Sequence, residues 1–278
     1  MRLGVNADVG GNDPDSWIDA LDDGGYRTAP APIDSDADAE TVADYRETAA
    51  AAGVEIAEVG AWGSNPISDD SDERERAIDA CARHLELAEE LGATCCVNVA
   101  GSRGDAWDGP HSANFSAETF DRIVESVREI IDRVEPTRTV YTLEPMPSVP
   151  PHSIESQRRL LEAVDREAFG VHFDPVNMLT SPERVAHNAE FVREFVEAFA
   201  ADIAVVHLKD AIVRHELTVH IDEVVPGDGE FDIHTLLSAL DDHGLDVPIL
   251  LEHLESETAY ERATTHVRDV AADVGVSL

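Results

Sequence analysis

Lysine is almost missing from this sequence. Of its twenty Lys and Arg residues nineteen are Arg, which leaves Lys209 as the single lysine, against fifty-eight Asp and Glu and a formal net charge of −38. So little positive charge argues against nucleic acid as a partner, because gripping phosphates needs basic residues that release counterions. Anionic membrane surfaces would repel the chain for the same reason. Self-repulsion on this scale weakens a compact state in dilute buffer, whereas molar salt shortens the Debye length to about 3 Å. A chain with lysine nearly absent and with acidic residues on every helical segment reads as a cytoplasmic protein of a halophile. Cysteine is scarce as well: Cys81, Cys95 and Cys96 are an odd number, two of them adjacent in a strand-like segment, and read as reduced core residues rather than disulfides or ligands. No apolar run is long enough for a membrane span, and the start MRLGVNADVGG has none of the marks of a signal peptide. A glycine-rich phosphate fingerprint after the first strand is also lacking, which disfavours an open, doubly wound sheet.

What the chain does contain is alternation. Short apolar runs are followed by segments of helical period eight times over, with no linker, repeat or low-complexity tract beyond the acidic bias. The strands are read at Arg2–Val9, Tyr26–Ile33, Val54–Val59, Thr94–Val99, Thr139–Glu144, Gly170–Asp174, the stretch AVVHLKDA from Ala204, and Val247–Glu252. The second is the least regular, since two prolines interrupt it. Helices are expected over Ser16–Asp22, Glu40–Ala52 with Gly53 ending it, Asp72–Leu91 before Gly92, from Ser116 to Pro136, Ser153–Ala168, Glu183–Ala200, a segment ending near Gly244, and Glu257–Val274. Eight strand-then-helix cycles predict an α/β fold, a single (β/α)8 TIM barrel occupying residues 1–278 as one domain.

A barrel of this kind builds its active site at the C-terminal ends of its strands. Four successive predicted strands end in Glu144, Asp174, His207 and Glu252. Three carboxylates cannot converge out of water without a counter-charge. A divalent cation supplies it directly, and three carboxylates with one imidazole suit Mn²⁺ first, with Mg²⁺, Co²⁺ and Zn²⁺ as alternatives. Strand alternation puts His172 on the face of Asp174 and Lys209 on the face of His207. His172 then orients a ligand, contacts substrate or fills the core, and Lys209 neutralises a substrate oxyanion or pairs with a carboxylate. Trp62 and Trp107, in loops after the third and fourth strands, offer apolar walls for a sugar ring or pack on the barrel rim. Glu58 points inward toward substrate, and His152 sits in the proline-rich loop after Glu144. Gly227 and Gly229 read as turn residues, Asp232 as a helix N-cap, and His187, His234 and His266 as surface.

Over nearly its whole length, and most specifically over Thr139–Glu252 with the series LEPMP, GVHFDPVN, HLKD, PGDGEFD and LLEHL, the chain resembles the xylose-isomerase-like barrels: sugar isomerases, sugar 3-epimerases, inosose dehydratases and AP endonucleases. That resemblance implies one divalent metal held by Glu144, Asp174, His207 and Glu252. It further implies that Glu144 and Glu252 face each other across the substrate, one removing a proton beside a carbonyl and the other returning it, while the metal holds the enediolate oxygens. Lys209 completes the catalytic set, and His172, Asn177, Trp62, Trp107, His152 and Glu58 are the substrate-binding candidates. Two departures stand out: Asn177 occupies the place of a histidine typical of sugar 3-epimerases, and Ser148 that of an expected tryptophan. The expectation is a metal-dependent sugar or keto-sugar isomerase or epimerase acting on a small molecule, able to form a homodimer or larger homo-oligomer. A dehydratase or lyase on a keto-inositol or keto-glycoside, and a non-catalytic sugar-binding barrel, are the alternatives.

Overall fold

The computed structural model describes residues 1–278 apart from Asp8 and Asn12. Its strands are β1 (Arg2–Asn6), β2 (Thr28–Ala29), β3 (Glu55–Ile56), β4 (Glu58–Gly60), β5 (Cys95–Asn98), β6 (Val140–Leu143), β7 (Val171–Phe173), β8 (Ile203–Leu208), β9 (Asp210–Val213), β10 (Ile221–Val224) and β11 (Pro248–Glu252). The helices are α1 (Pro14–Gly24), α2 (Ala39–Ala52), α3 (Ser71–Leu91), α4 (Ala117–Val134), α5 (Ile154–Val164), α6 (Pro182–Ala186), α7 (Asn188–Phe199), α8 (Ile233–Asp242) and α9 (Glu257–Val274). Acidic and serine N-caps start them: Asp13, Asp38, Asp70, Ser116, Ser153, Ser181, Asp232 and Ser256 each accept a backbone N–H of the first turn. No helix among the described residues is long and apolar enough to cross a membrane.

The strands pair in parallel in two sheets, β3-β2-β1-β11-β8-β7 and β4-β5-β6. Only Ala57 separates β3 from β4, and it carries the pairing from one sheet to the other: its N–H donates to Ala29 and its carbonyl accepts from Cys95. Between β6 and β7 an isolated parallel bridge joins Tyr141 to Phe169. Helices cover the outer faces, packed on one extensive apolar core, where Phe173 stacks on Phe195 at 4.0 Å between centroids. Ala57, Cys95, Val97, Ala204, Val205 and Leu250 form a second, small buried cluster. The three cysteines are buried thiols in these cores.

Several elements differ from the sequence expectation. The first strand stops at Asn6 rather than Val9, and Asp8 within that stretch lies outside the described residues. The proline-flanked second strand shrinks to two residues, and the third is interrupted at Ala57. The helix read as Glu183–Ala200 is broken at His187 into α6 and α7. The sequence reading also missed an antiparallel hairpin, β9 with β10, that follows β8 directly and pairs Asp210 with Val224. Its base is anchored by Asp210, whose buried carboxylate accepts the backbone N–H groups of Ala211, Gly227, Gly229 and Phe231. A Cβ at Gly229 would lie 2.2 Å from Asp210 Oδ1, so only glycine lets the loop close on that carboxylate.

Candidate metal centre

Strand register brings the functional side chains to one level. Asn6 pairs with Glu252 across β1 and β11, Leu251 with Leu208 across β11 and β8, and Phe173 with Val206 across β7 and β8. One residue further along, Asp174, His207, Lys209 and Glu252 therefore emerge together, and Glu144 joins them as its N–H donates to Asn98 at the end of β5. Val205 and Leu250, two residues before His207 and Glu252, lie on the same face and belong to the small inner cluster, so the polar groups sit on an apolar plug.

Glu144, Asp174, His207 and Glu252 each offer a ligand atom, all within 4.8 Å of one another, and all four residues are buried. His207 Nδ1 lies 2.9 Å from Glu252 Oε2 and 3.7 Å from Glu144 Oε1. Glu58 is buried behind the imidazole and takes His207 Nε2 at 3.1 Å and His172 Nε2 at 3.1 Å. A carboxylate there requires both Nε2 atoms to donate, which leaves Nδ1 of His207 as the nitrogen facing Glu144 and Glu252. Asn177 links three neighbours: its backbone N–H donates to Asp174 Oδ1, its amide donates to Glu144 Oε1 at 2.9 Å, and its Oδ1 accepts from Lys209 at 3.2 Å.

The cluster is short of positive charge. Burial drives the Asp174 carboxyl up, Lys209 opposes this, and Glu252 and Glu144 reinforce it, so that it reaches about 7. Burial disfavours a charged His207, yet Glu252 and Glu58 carry its basicity well above the ordinary imidazole range. Burial likewise opposes the Glu58 charge, but His207 and His172 bring it down to about 2. Among the described residues, three buried atoms of the cluster, Asp174 Oδ2, His207 Nδ1 and Glu252 Oε1, receive no hydrogen bond. The two oxygens have only the Lys209 ammonium beside them, at 2.8 and 2.6 Å, and carboxylate oxygens that converge with an imidazole nitrogen on one point are the donor set a divalent cation takes, so the residues fit a metal.

Of the other candidates, Glu58 and His172 are buried against His207, and Glu58 contacts a ring nitrogen of each histidine. Trp62 is exposed, and its indole lies over Gly60, where a Cβ would collide with it. Trp107 is half-buried in the loop after β5. His152 packs edge-on against Phe115 and lines a groove with Phe120, Pro150 and Arg159. The sequence reading missed three residues around Glu252. Asn6 donates to Glu252 Oε2 at 3.2 Å, and the strand-end rule applied to β1 would have found it. His253 has left-handed backbone (φ 58°) and contacts Glu223 Oε2 at 3.2 Å; Glu223 belongs to the unforeseen hairpin.

No curated protein sequence matches the chain. Among solved structures, D-psicose 3-epimerase with D-tagatose from Clostridium cellulolyticum H10 superposes with a TM-score of 0.74 at 15% identity over 100% of both chains. The 3-keto-D-glucoside 4-epimerase of E. coli gives 0.69 at 17% identity, covering 97% of this chain and 99% of that one. A xylose isomerase-like TIM barrel protein from Mycobacterium smegmatis in complex with magnesium gives 0.68 at 16% identity, covering 98% and 94%. The model of the xylose isomerase-like TIM barrels matches residues 15–270. The chain belongs to the xylose isomerase-like TIM barrel family.

Proposed function

We propose that this chain is a metal-dependent sugar or keto-sugar isomerase or epimerase whose parallel strands close into one (β/α)8 barrel. The observation that carries the reading is the convergence of Glu144, Asp174, His207 and Glu252, with three of their buried ligand atoms left without hydrogen bonds. Similar folds that are a D-psicose 3-epimerase and a 3-keto-D-glucoside 4-epimerase support the same chemistry. Glu144, Asp174, His207 and Glu252 would hold a divalent ion, with Mn²⁺ best matched to the donor set, and such an ion would supply the polarisation of a substrate carbonyl that acidifies the neighbouring C–H.

The chain's own groups do the rest. One of Glu144 and Glu252 takes the proton from carbon and the other, entering the step protonated, delivers one to the opposite face, so the two end with their protonation exchanged and the product differs from substrate only in where hydrogen sits. Asn177, donating to Glu144 Oε1, fixes the direction in which that carboxylate accepts. Glu58 fixes the ring of His207 from behind. Lys209, the single lysine, adds a positive charge within reach of a developing oxyanion. The charge of −38 fits a protein working in the salt-rich cytoplasm of a halophile.

The test combines metal content with solvent deuterium exchange into a panel of ketoses and keto-inositols at molar salt, for wild type and Glu144→Gln. The expected result is about one equivalent of Mn²⁺ and exchange that falls by about 10²–10⁴ in the variant. Release of water or of an aglycone would move the assignment to a lyase. A metal-free protein without exchange would leave the sugar-binding barrel.

A further inference from the structure

Lys209 is 1% exposed, and its ammonium has three carboxylates around it: 2.8 Å from Asp174 Oδ2, 2.6 Å from Glu252 Oε1 and 3.9 Å from Glu144 Oε1. The two nearest oxygens are among the atoms that receive no hydrogen bond. At these distances Nζ lies where the Asp174 and Glu252 carboxylates converge and acts as the counter-charge to both. The same Nζ also reaches outward, to Asn177 Oδ1 at 3.2 Å and toward Glu223 Oε2 at 4.0 Å on the hairpin. A flexible four-carbon stem therefore has two sets of partners, one inside the carboxylate cage and one at its edge.

We infer that Lys209 is the resident cation of the cage in the metal-free protein, and that a divalent ion displaces its ammonium toward Asn177 and Glu223. The inference rests on the metal-centre reading above. Three buried carboxylates are costly without a counter-charge, so an apoprotein lacking an internal cation would repel itself at this point. Once an ion is bound, an ammonium in the same cage is repelled by it, and the two outward acceptors receive it. The displaced lysine then presents its charge at the pocket edge only in the loaded protein, which couples metal loading to readiness for an oxygen-rich substrate.

Lys209→Met keeps a long unbranched side chain without the charge. With its competitor gone, Mn²⁺, followed through its free-ion paramagnetic resonance in molar KCl, binds at least about tenfold tighter than to wild type. Weaker binding would overturn the inference, because that is what a lysine clamping the outer oxygens of bound ligands would give. Should the variant fail to fold, wild type answers alone: ¹³C at the lysine Cε yields one signal from one lysine, and titration with Mg²⁺ moves it as the ammonium leaves the cage. A signal unmoved when the metal is saturating would refute the displacement while leaving the metal centre intact. Absence of ion binding in wild type and variant alike would instead remove the metal centre itself.

Discussion

Glu58 holds two imidazoles with one carboxylate, and replacing it by glutamine tests how the metal centre is oriented. Its oxygens lie 3.1–3.2 Å from His207 Nε2 and 3.1 Å from His172 Nε2. The Gln amide supplies one acceptor where the carboxylate supplied two, so one ring N–H loses its partner or meets the amide NH₂. A hydrogen bond to a charged group contributes about 1.5–3 kcal/mol. Losing one loosens the His207 ring and removes the preference for Nδ1 as the nitrogen facing Glu144 and Glu252. Carboxylates that orient a ligating histidine are worth roughly 10–100-fold in metal affinity. Mn²⁺ should therefore bind Glu58→Gln about 10–100-fold more weakly, which corresponds to about 1.4–2.7 kcal/mol. Titration calorimetry in molar KCl measures this, with the urea midpoint of the metal-free protein as control. Removing one partner of a buried charged pair also destabilises the fold, by about 3–5 kcal/mol, so the midpoint should fall and the calorimetry is run well below it. An Mn²⁺ affinity within about twofold of wild type would refute the argument.

Two further predictions concern charge. Glu89, on α3 with 20% side-chain exposure, accepts from Thr137 Oγ1 at 2.7 Å and from the N–H groups of Arg138 and Thr139 at 3.0 and 3.1 Å. Burial opposes its charge, but these donors hold the carboxyl down to about 2, below its ordinary 4.5. A depressed carboxyl stabilises the fold above its unfolded pKa, and that stability is lost as pH falls toward 2. Wild type should lose about 1 kcal/mol more than Glu89→Gln between about pH 6 and pH 3.5 in urea titrations, and equal slopes would contradict this. The net charge of −38 predicts a melting temperature that climbs steeply from dilute buffer to molar KCl, as the Debye length falls from about 10 to 3 Å. A melting temperature insensitive to KCl would count against the salt-adapted reading.

Much of the site was readable before any coordinates. Glu144, Asp174, His207 and Glu252 close apolar runs, and a strand that alternates faces in a barrel presents its last residue at the mouth, so type and position together pointed to a shared cage. Helix ends were equally plain, because Asp, Ser and Gly at caps act locally; Asp232 and Gly53 behave as their chemistry dictates. Elements held by partners distant in sequence were not readable. The β9–β10 hairpin carries β-branched residues such as Ile212, Val213, Ile221 and Val224, but its pairing depends on the Asp210 carboxylate gathering N–H groups from a loop some twenty residues on, which no local pattern announces. Strand alternation placed Glu58 and His172 facing inward, and tertiary packing set both against His207, where a buried carboxylate between two rings is more favourable than an unpaired one. Sequence alone determined which residues stand at the strand ends, since the strand period is local; only the tertiary structure decided the register that levels them and which of their atoms face one another, since both depend on strands and side chains brought together across the whole chain.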